Sequence, residues 1–258
     1  MDEKTLEPKL MPVGGGSPAL RVAILQPSYL PWLGYFDQMD RADTFIFLDD
    51  VQFTRRDWRN RNKVRTREGW AWMTVPVIQK HRYRQSLKET RIDPSLPWQR
   101  KHLETLRASY GRCPFFDLYF PYLNKIYNKD WDFLVDLCLE TTGWLKEVLG
   151  ISTPTLISSA MPAESAKAEK ILWLCRKIGA THYLSGDAGK NYISPGEFSN
   201  NGVVVEFQNY RHPVYAQRFP GFVPYLSVID LLFNMGEQSL GILRQPYREN
   251  GACPARAG

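Results

Sequence analysis

Apolar residues in this chain fall into short runs separated by longer amphipathic stretches. RVAIL (21–25) is a continuous apolar run with the pattern of a strand buried on both faces. It stops at QPSYLP, where two prolines force an extended turn. A helix is predicted from about Trp32 to Arg41, followed by a second strand in TFIFLDD. Strand, loop, helix and strand make a βαβ unit, which favours a parallel sheet. WAWMTVPV reads as a third strand, with Pro76 near its end. Three helical segments then fill about 97–150. In the last of them Trp131, Leu134, Cys138, Leu145 and Val148 recur at helical spacing, and Gly150 supplies the stop. TPTLISS, THYLSG and VVVEFQ predict further strands. SAKAEKILWLCRKIG predicts a helix with Ile171, Leu172, Cys175 and Ile178 on one face and Gly179 after its end. LSVIDLLFNMG predicts a closing helix with Ser227 as N-cap, Asp230 at the capping-box position and Gly236 as stop. The expected fold is α/β, a mostly parallel sheet with a helical middle subdomain, formed by a single domain over 21–236. The aperiodic, Gly/Pro/Arg-rich ends, 1–20 and 237–258, read as a disordered N-terminal tail and a flexible C-terminal tail.

Composition narrows the class. The 258 residues are 43% hydrophobic and 23% charged, which excludes a disordered tail, a collagen and a coiled coil. No apolar run approaches the ~20 residues of a membrane-spanning helix. The first twenty residues carry acids and GGGSP where a signal peptide has its apolar core, so a cytoplasmic protein is expected. Cys113, Cys138, Cys175 and Cys253 include no C-x-x-C pair, and Cys138 and Cys175 fall on apolar helix faces as small hydrophobes. The net charge of +6 divides unevenly. Residues 54–107 hold fifteen Lys/Arg against five acids, or +10, and the rest of the chain carries −4. Seven of those bases lie in TRRDWRNRNKVRTR beside a single acid, a density that points to an anionic partner over a self-neutralised surface.

Four segments could carry chemistry. QPSYLPWLGYF follows the first strand, where open parallel sheets hold ligands, and Gly34 would let the backbone approach one. In LDDVQFTRRDWRNRNKVRT, Asp49 and Asp50 close the second strand and could hold a metal, a ribose or an amine. Either could also act as general base. If that segment were helical, Arg55, Arg59 and Lys63 would line one face as a phosphate rail, with Asn60 and Asn62 orienting a sugar or amide. LSGDAGKNY offers an anion nest over Ser185–Gly189, with Lys190 adding charge and Asp187 a candidate acid or base. In QNYRHPVYAQ, His212 precedes Pro213, and Tyr215 and Gln217 alternate with Pro213 on an extended segment. No second histidine pairs with His212 as a metal ligand, and no metal site is expected. G-x-S-x-G, the Walker loop and G-x-G-x-x-G are absent.

Taken in order, AILQPSYLPWLGYFDQMDRADTFIFLDDVQF, RNRNKVRTREGWAWMTVPV, PWQRKHLETLRASYG, THYLSGDAG, HPVYAQ and LSVIDLLFNMG resemble the WbqC-like family of bacterial proteins. The resemblance spans about 21–236. It implies a place in surface-polysaccharide assembly such as O-antigen, or in secondary metabolism. It also implies site residues at Gln26, Tyr29, Asp50, Asn60, Arg61, Asn62, Lys63, Gly186, His212, Tyr215 and Gln217. A looser similarity links the strand–loop–helix start to the nucleotide-binding HUP group, within a Rossmann-like class. That group carries H-x-G-H where this chain has Trp32-Leu33-Gly34-Tyr35.

The expected function is group transfer, with acyl or aminoacyl transfer or amide formation foremost, on a phosphorylated or nucleotide-linked small molecule. In this scheme Arg55, Arg59 and Lys63 hold phosphates, Asn60, Asn62 and Gln217 orient the acceptor, and His212 or Asp50 removes a proton. The sequence names no cofactor, although a nucleotide with Mg²⁺ fits the scheme, and it leaves a homo-oligomer open. Two alternatives stand beside it. One is nucleic-acid binding through Trp58, Trp70, Trp72 and Tyr83 within the basic segment, against which no recognised binding motif is present. The other is a noncatalytic subunit that binds the same nucleotide.

Overall fold

The computed structural model describes residues 19–248 apart from 81, 83, 164 and 166. Cys253, His81 and Tyr83 therefore lie outside the described residues, as does nearly all of the expected N-terminal tail.

Five parallel strands form the main sheet: β1 (Arg21–Leu25), β2 (Thr44–Phe47), β5 (Thr155–Ile157), β6 (His182–Ser185) and β7 (Val204–Phe207). Their order is β5-β2-β1-β6-β7. Alternate residues of the inner strands bury on opposite faces. Val22, Ile24 and Ile46 join one apolar cluster, and Ala23, Phe45 and Phe47 join the other. Burial on both faces explains why β1 and β2 read as near-continuous apolar runs. One face is covered by α1 (Leu33–Arg41), the helical middle α2 (Trp98–Tyr110), α3 (Phe116–Tyr127) and α4 (Leu134–Val148), and by α7 (Val228–Met235). The other carries α5 (Lys167–Lys177) and α6 (Pro195–Asn200). The result is a doubly wound, Rossmann-like α/β architecture, as expected. Gly150 and Gly179, past the ends of α4 and α5, take φ of +75° and +72°, the left-handed stops read from the sequence.

Three expectations are corrected. RNRNKVRT is not helical: it forms β3 (Arg61–Thr66), paired antiparallel with β4 (Gly69–Thr74) in a separate ribbon. WAWMTVPV therefore supplies a strand of this ribbon and not of the main sheet. Alternation along β3 decides the outcome, because Asn62 and Val64 turn inward while Arg61 and Lys63 stay half-exposed. Secondly, Trp131 lies ahead of α4, outside its helical stripe. Thirdly, of the segment 237–258 expected as a flexible C-terminal tail, the described part forms α8 (Ser239–Leu243) and α9 (Gln245–Arg248), and 249–258 lie outside the described residues. Ile242 and Leu243 join the core there, and Arg244 grips Asp40 through two bonds of 2.7 Å. Among the described residues no helix is long and apolar enough to cross a membrane.

Candidate active site

The chain leaves β1 towards β2 on one side and later returns to lay β6 on the other. The carboxyl ends of β1 and β6 thus flank a topological switch point, where doubly wound sheets open a crevice. Gln26 and Ser28 stand just beyond β1, and Gly186 just beyond β6.

The loop after β1 is clamped by the residues leading into β3. Tyr29 N–H donates to the Arg59 carbonyl (3.1 Å), and Asn62 Nδ2 donates to the carbonyl of Leu30 (2.6 Å). Leu30 takes a left-handed φ of +44°, so Asn62 holds a strained backbone in place. Asn60 Nδ2 donates to the Val75 carbonyl (2.8 Å). Both Nδ2 groups are spent on the scaffold, while Asn60 Oδ1 is buried without a hydrogen-bond partner among the described residues.

This clamp carries Arg59 inward. Its guanidinium is half-buried, donates from Nη1 to Ser28 Oγ (2.9 Å), and has Asp57 as its ion-pair partner at a loose 3.7 Å. Burial lowers its pKa, and Asp57 and Tyr35 offset part of that effect. Tyr35 is fully buried and close enough for the Arg59 charge to act on its phenol, whose pKa burial pushes well up. Tyr192, half-exposed at the rim, feels the same charge. Arg59 Nε, Tyr35 Oη, Gln26 Oε1 and Gln38 Oε1 are buried with no hydrogen-bond partner among the described residues. Buried polar atoms are ordinarily paired, so this concentration at the switch point marks a polar site.

The crevice walls are tightly built. Gln208, following β7, donates to the Gly34 carbonyl (2.7 Å) and to Asp37 Oδ2 (2.6 Å), and accepts from Gln38 Nε2 (2.9 Å). A Cβ on Gly186 would lie 3.2 Å from Gln38 Nε2. A Cβ on Gly34 would lie 2.3 Å from the Trp32 indole, so Gly34 makes room for that ring and not for a ligand approaching the backbone. Trp32 packs against Tyr210 and Tyr225 (ring centroids 5.5 and 5.8 Å), and Tyr225 lies 5.2 Å from the His212 ring. His212 thus joins the loop after β1 through an aromatic cluster. Its Nδ1 lies 2.8 Å from the Pro213 carbonyl. A carbonyl only accepts, so Nδ1 carries the proton and Nε2 keeps its lone pair. Nε2 is buried without a partner among the described residues, and burial lowers the ring's pKa.

Other predicted site residues are placed elsewhere. Tyr29 is wholly buried, with its hydroxyl 2.8 Å from His102 Nδ1 and in contact with that of Tyr127, so it braces the core. Asp49 accepts from Ser158 Oγ, Ser159 N–H and Ser159 Oγ. Asp50 pairs with Lys170 Nζ at 2.6 Å and accepts from Ser158 Oγ at 2.6 Å. Burial alone would raise the Asp50 pKa, but the Lys170 and Ser158 bonds outweigh it and the net shift is downward. A carboxylate so stabilised is a weak base, and its place is to tie β2 to α5. Asp187 and Lys190 pair with each other at 2.7 Å on the exposed rim, where Lys190 also reaches Asn209.

The phosphate rail does not form. Arg55 is exposed with Nη2 at the Gln79 carbonyl, Arg59 turns half-buried into the crevice, and Lys63 lies out on β3. There the Lys63 ammonium sits 4.2 Å from the Trp70 ring centre, 5.3 Å from Trp72 and 5.9 Å from Trp58. Arg61 covers Trp72 at 4.2 Å. The basic and aromatic side chains of the ribbon thus satisfy one another. Sequence reasoning missed Ser28, Tyr35, Gln38, Gln208 and Lys170. Ser28 and Tyr35 lie inside the loop motif it had singled out and Gln208 opens the QNYRHPVYAQ segment, but nothing local marks Gln38 or Lys170.

Asp230 is not the capping-box residue it resembled. Ser227 does cap α7, accepting from Ile229 N–H at 3.4 Å, but Asp230 Oδ2 turns away to accept from Tyr215 Oη and Gln217 Nε2, both at 2.9 Å. Tyr215 and Gln217 therefore hold the His212 segment onto α7. Burial pushes the Asp230 pKa up to about 6. A raised carboxyl pKa favours the folded state most below the unfolded value near 4, and that contribution is lost as pH rises through 6. Denaturant titrations should thus show wild type losing about 2–3 kcal/mol between pH 4 and 7 from this group. Asp230→Asn should lose that portion of the slope; an unchanged slope would place the titration elsewhere.

The profile of the WbqC-like protein family matches residues 26–242, which begin directly after β1 and contain every side chain described in this crevice. The uncharacterized protein Rv1507c of Mycobacterium tuberculosis is 36% identical over 230 residues, covering 87% of this chain and 97% of that relative. No solved structure matches the chain at a significant level. With the match running from the loop after β1 to the last buried turn of α8, the chain belongs to the WbqC-like protein family.

Proposed function

We propose that the chain is a group-transfer enzyme acting on a phosphorylated or nucleotide-linked small molecule, with a nucleotide-linked sugar of surface-polysaccharide assembly as the favoured substrate. The reading rests on one observation: a half-buried arginine at the switch point, bonded to Ser28 and only loosely paired, with its Nε and other buried polar atoms unpartnered among the described residues. A phosphate there would receive the guanidinium's remaining N–H and offset the cost of its burial. His212 Nε2 is the proton acceptor. In acyl transfer from an acyl phosphate donor to an amine of the sugar, the amine nitrogen bonds to the donor's carbonyl carbon and that carbon's bond to the phosphate oxygen breaks. The phosphate leaves with the electron pair, and the amine proton passes to Nε2 while Nδ1 stays bonded to Pro213. Arg59 stabilises the charge gathering on the leaving phosphate.

Thermal-shift screening against nucleotides and nucleotide-sugars, with and without Mg²⁺, tests this reading. A ligand at about 100 times its Kd stabilises the native state by about 2.7 kcal/mol and raises Tm by several degrees. Arg59→Met should abolish that shift, and Arg59→Lys should restore part of it. An equal shift in wild type and Arg59→Met would refute the placement.

A further inference from the structure

Away from the switch point, a cleft of about 1120 Å³ opens between the β3–β4 turn, the C-terminal half of α2 and the strap 218–220 ahead of α7. Arg67, Arg107, Arg112 and Arg218 line it against one carboxylate, Glu68. Among the described residues none of these four arginines forms an ion pair. They come from three separate elements, so their convergence is a product of folding and not of a basic run in the sequence.

The walls are fixed before any ligand arrives. Buried Arg65 donates to the carbonyls of Pro220 (2.7 Å) and Gly221 (2.9 Å), holding the strap against the ribbon. Arg218 Nη1 donates to the carbonyls of Ala108 (2.9 Å) and Ser109 (2.6 Å), joining the strap to the end of α2. Arg107 lies over the Phe120 ring at 4.8 Å. Arg67 and Arg112 stand exposed on facing turns. Two arginines thus build the cleft and three present guanidinium forks around it. Like charges brought together in this way repel, and a multiply charged anion of matching geometry removes that repulsion. A recess of this volume takes a soluble molecule of nucleotide size better than a flat surface.

We propose that this cleft is a second anion site, distinct from the switch-point crevice, for a soluble ligand carrying two or more linked phosphates. Calorimetric titration of the full chain with inorganic tripolyphosphate at near-physiological salt tests it. Arg67→Glu with Arg112→Glu should weaken binding at least about tenfold, since each charge-assisted contact is worth about one decade or more in affinity. Arg67→Gln with Arg112→Gln should weaken it less, and keeps the test open should the double reversal fail to fold. Arg82→Glu with Arg84→Glu, an equal charge change in a separate cationic cleft, should leave this binding unchanged. Arg59→Met should remove only a separate component of binding at the switch point and leave the component lost in Arg67→Glu with Arg112→Glu intact. Equal losses in both double reversals, loss through Arg59→Met instead, or no tripolyphosphate binding by wild type would each overturn the proposal.

Discussion

Replacing Lys170 by methionine is expected to destabilise the protein by about 3 kcal/mol at neutral pH. Lys170 and Asp50 meet at 2.6 Å with side chains only 7% and 13% exposed. Removing the ammonium leaves a carboxylate in a site that water barely reaches, while Ser158 supplies only one remaining hydrogen bond. The loss of the partner outweighs any gain from the apolar replacement. The pH dependence carries a definite sign. Asp50 has a depressed pKa, so its contribution is present above the unfolded value near 4 and is lost as pH falls through the lower folded value. Equilibrium unfolding of wild type and Lys170→Met should therefore converge on acidification. The double variant Lys170→Met with Asp50→Leu should recover much of the loss. A single variant as stable as wild type at pH 7 would show that the pair contributes nothing.

His212→Ala should lower kcat by about 10²–10⁴ with the substrate that the thermal screen identifies. The geometry sets out why. The Pro213 carbonyl fixes the tautomer, leaving the Nε2 lone pair in a pocket of Tyr210, Tyr215, Phe222 and Tyr225. Burial lowers the pKa from the ordinary 6.5, so the base is neutral through physiological pH. The acid limb of kcat/KM in wild type should accordingly lie below pH 6.5 and vanish in the alanine variant. Ligand-induced stabilisation should persist in that variant, because Arg59 is intact. Unchanged turnover would remove His212 from the proton-transfer role, whatever becomes of the phosphate site.

The two variants probe residues that the sequence exposed to different degrees. His212 stood out because it sits in a short motif of constrained backbone, and its tautomer is set by the next residue along the chain. Asp50 was visible as a strand-end acid, but its role depends on Lys170, 120 positions later, in a helix that reads as an ordinary amphipathic segment. Asn60, Asn62, Tyr215 and Gln217 were legible as unusual polar groups near apolar runs. Their hydrogen-bond partners are the carbonyls of Val75 and Leu30 and the carboxylate of Asp230. None of those partners can be inferred from spacing.

The basic segment shows the same division. Its charge was countable at once, yet period-four spacing suggested one cationic face, whereas strand pairing split the residues among three environments. Arg55 stayed exposed at the Gln79 carbonyl, Arg59 went into the crevice and Lys63 onto a tryptophan surface.

By itself the sequence determined the parallel α/β sheet, the helical middle, the glycine stops after α4 and α5, and the placing of the candidate site after β1. Each of these follows from hydrophobic period and backbone stereochemistry, which act over a few neighbouring residues. Tertiary structure alone decided which arginine turned into the crevice, which carboxylates became scaffold, and which helices carried the chain past residue 236 onto the core. Those outcomes depend on desolvation and on partners far apart in the chain, and both are set only when the elements pack.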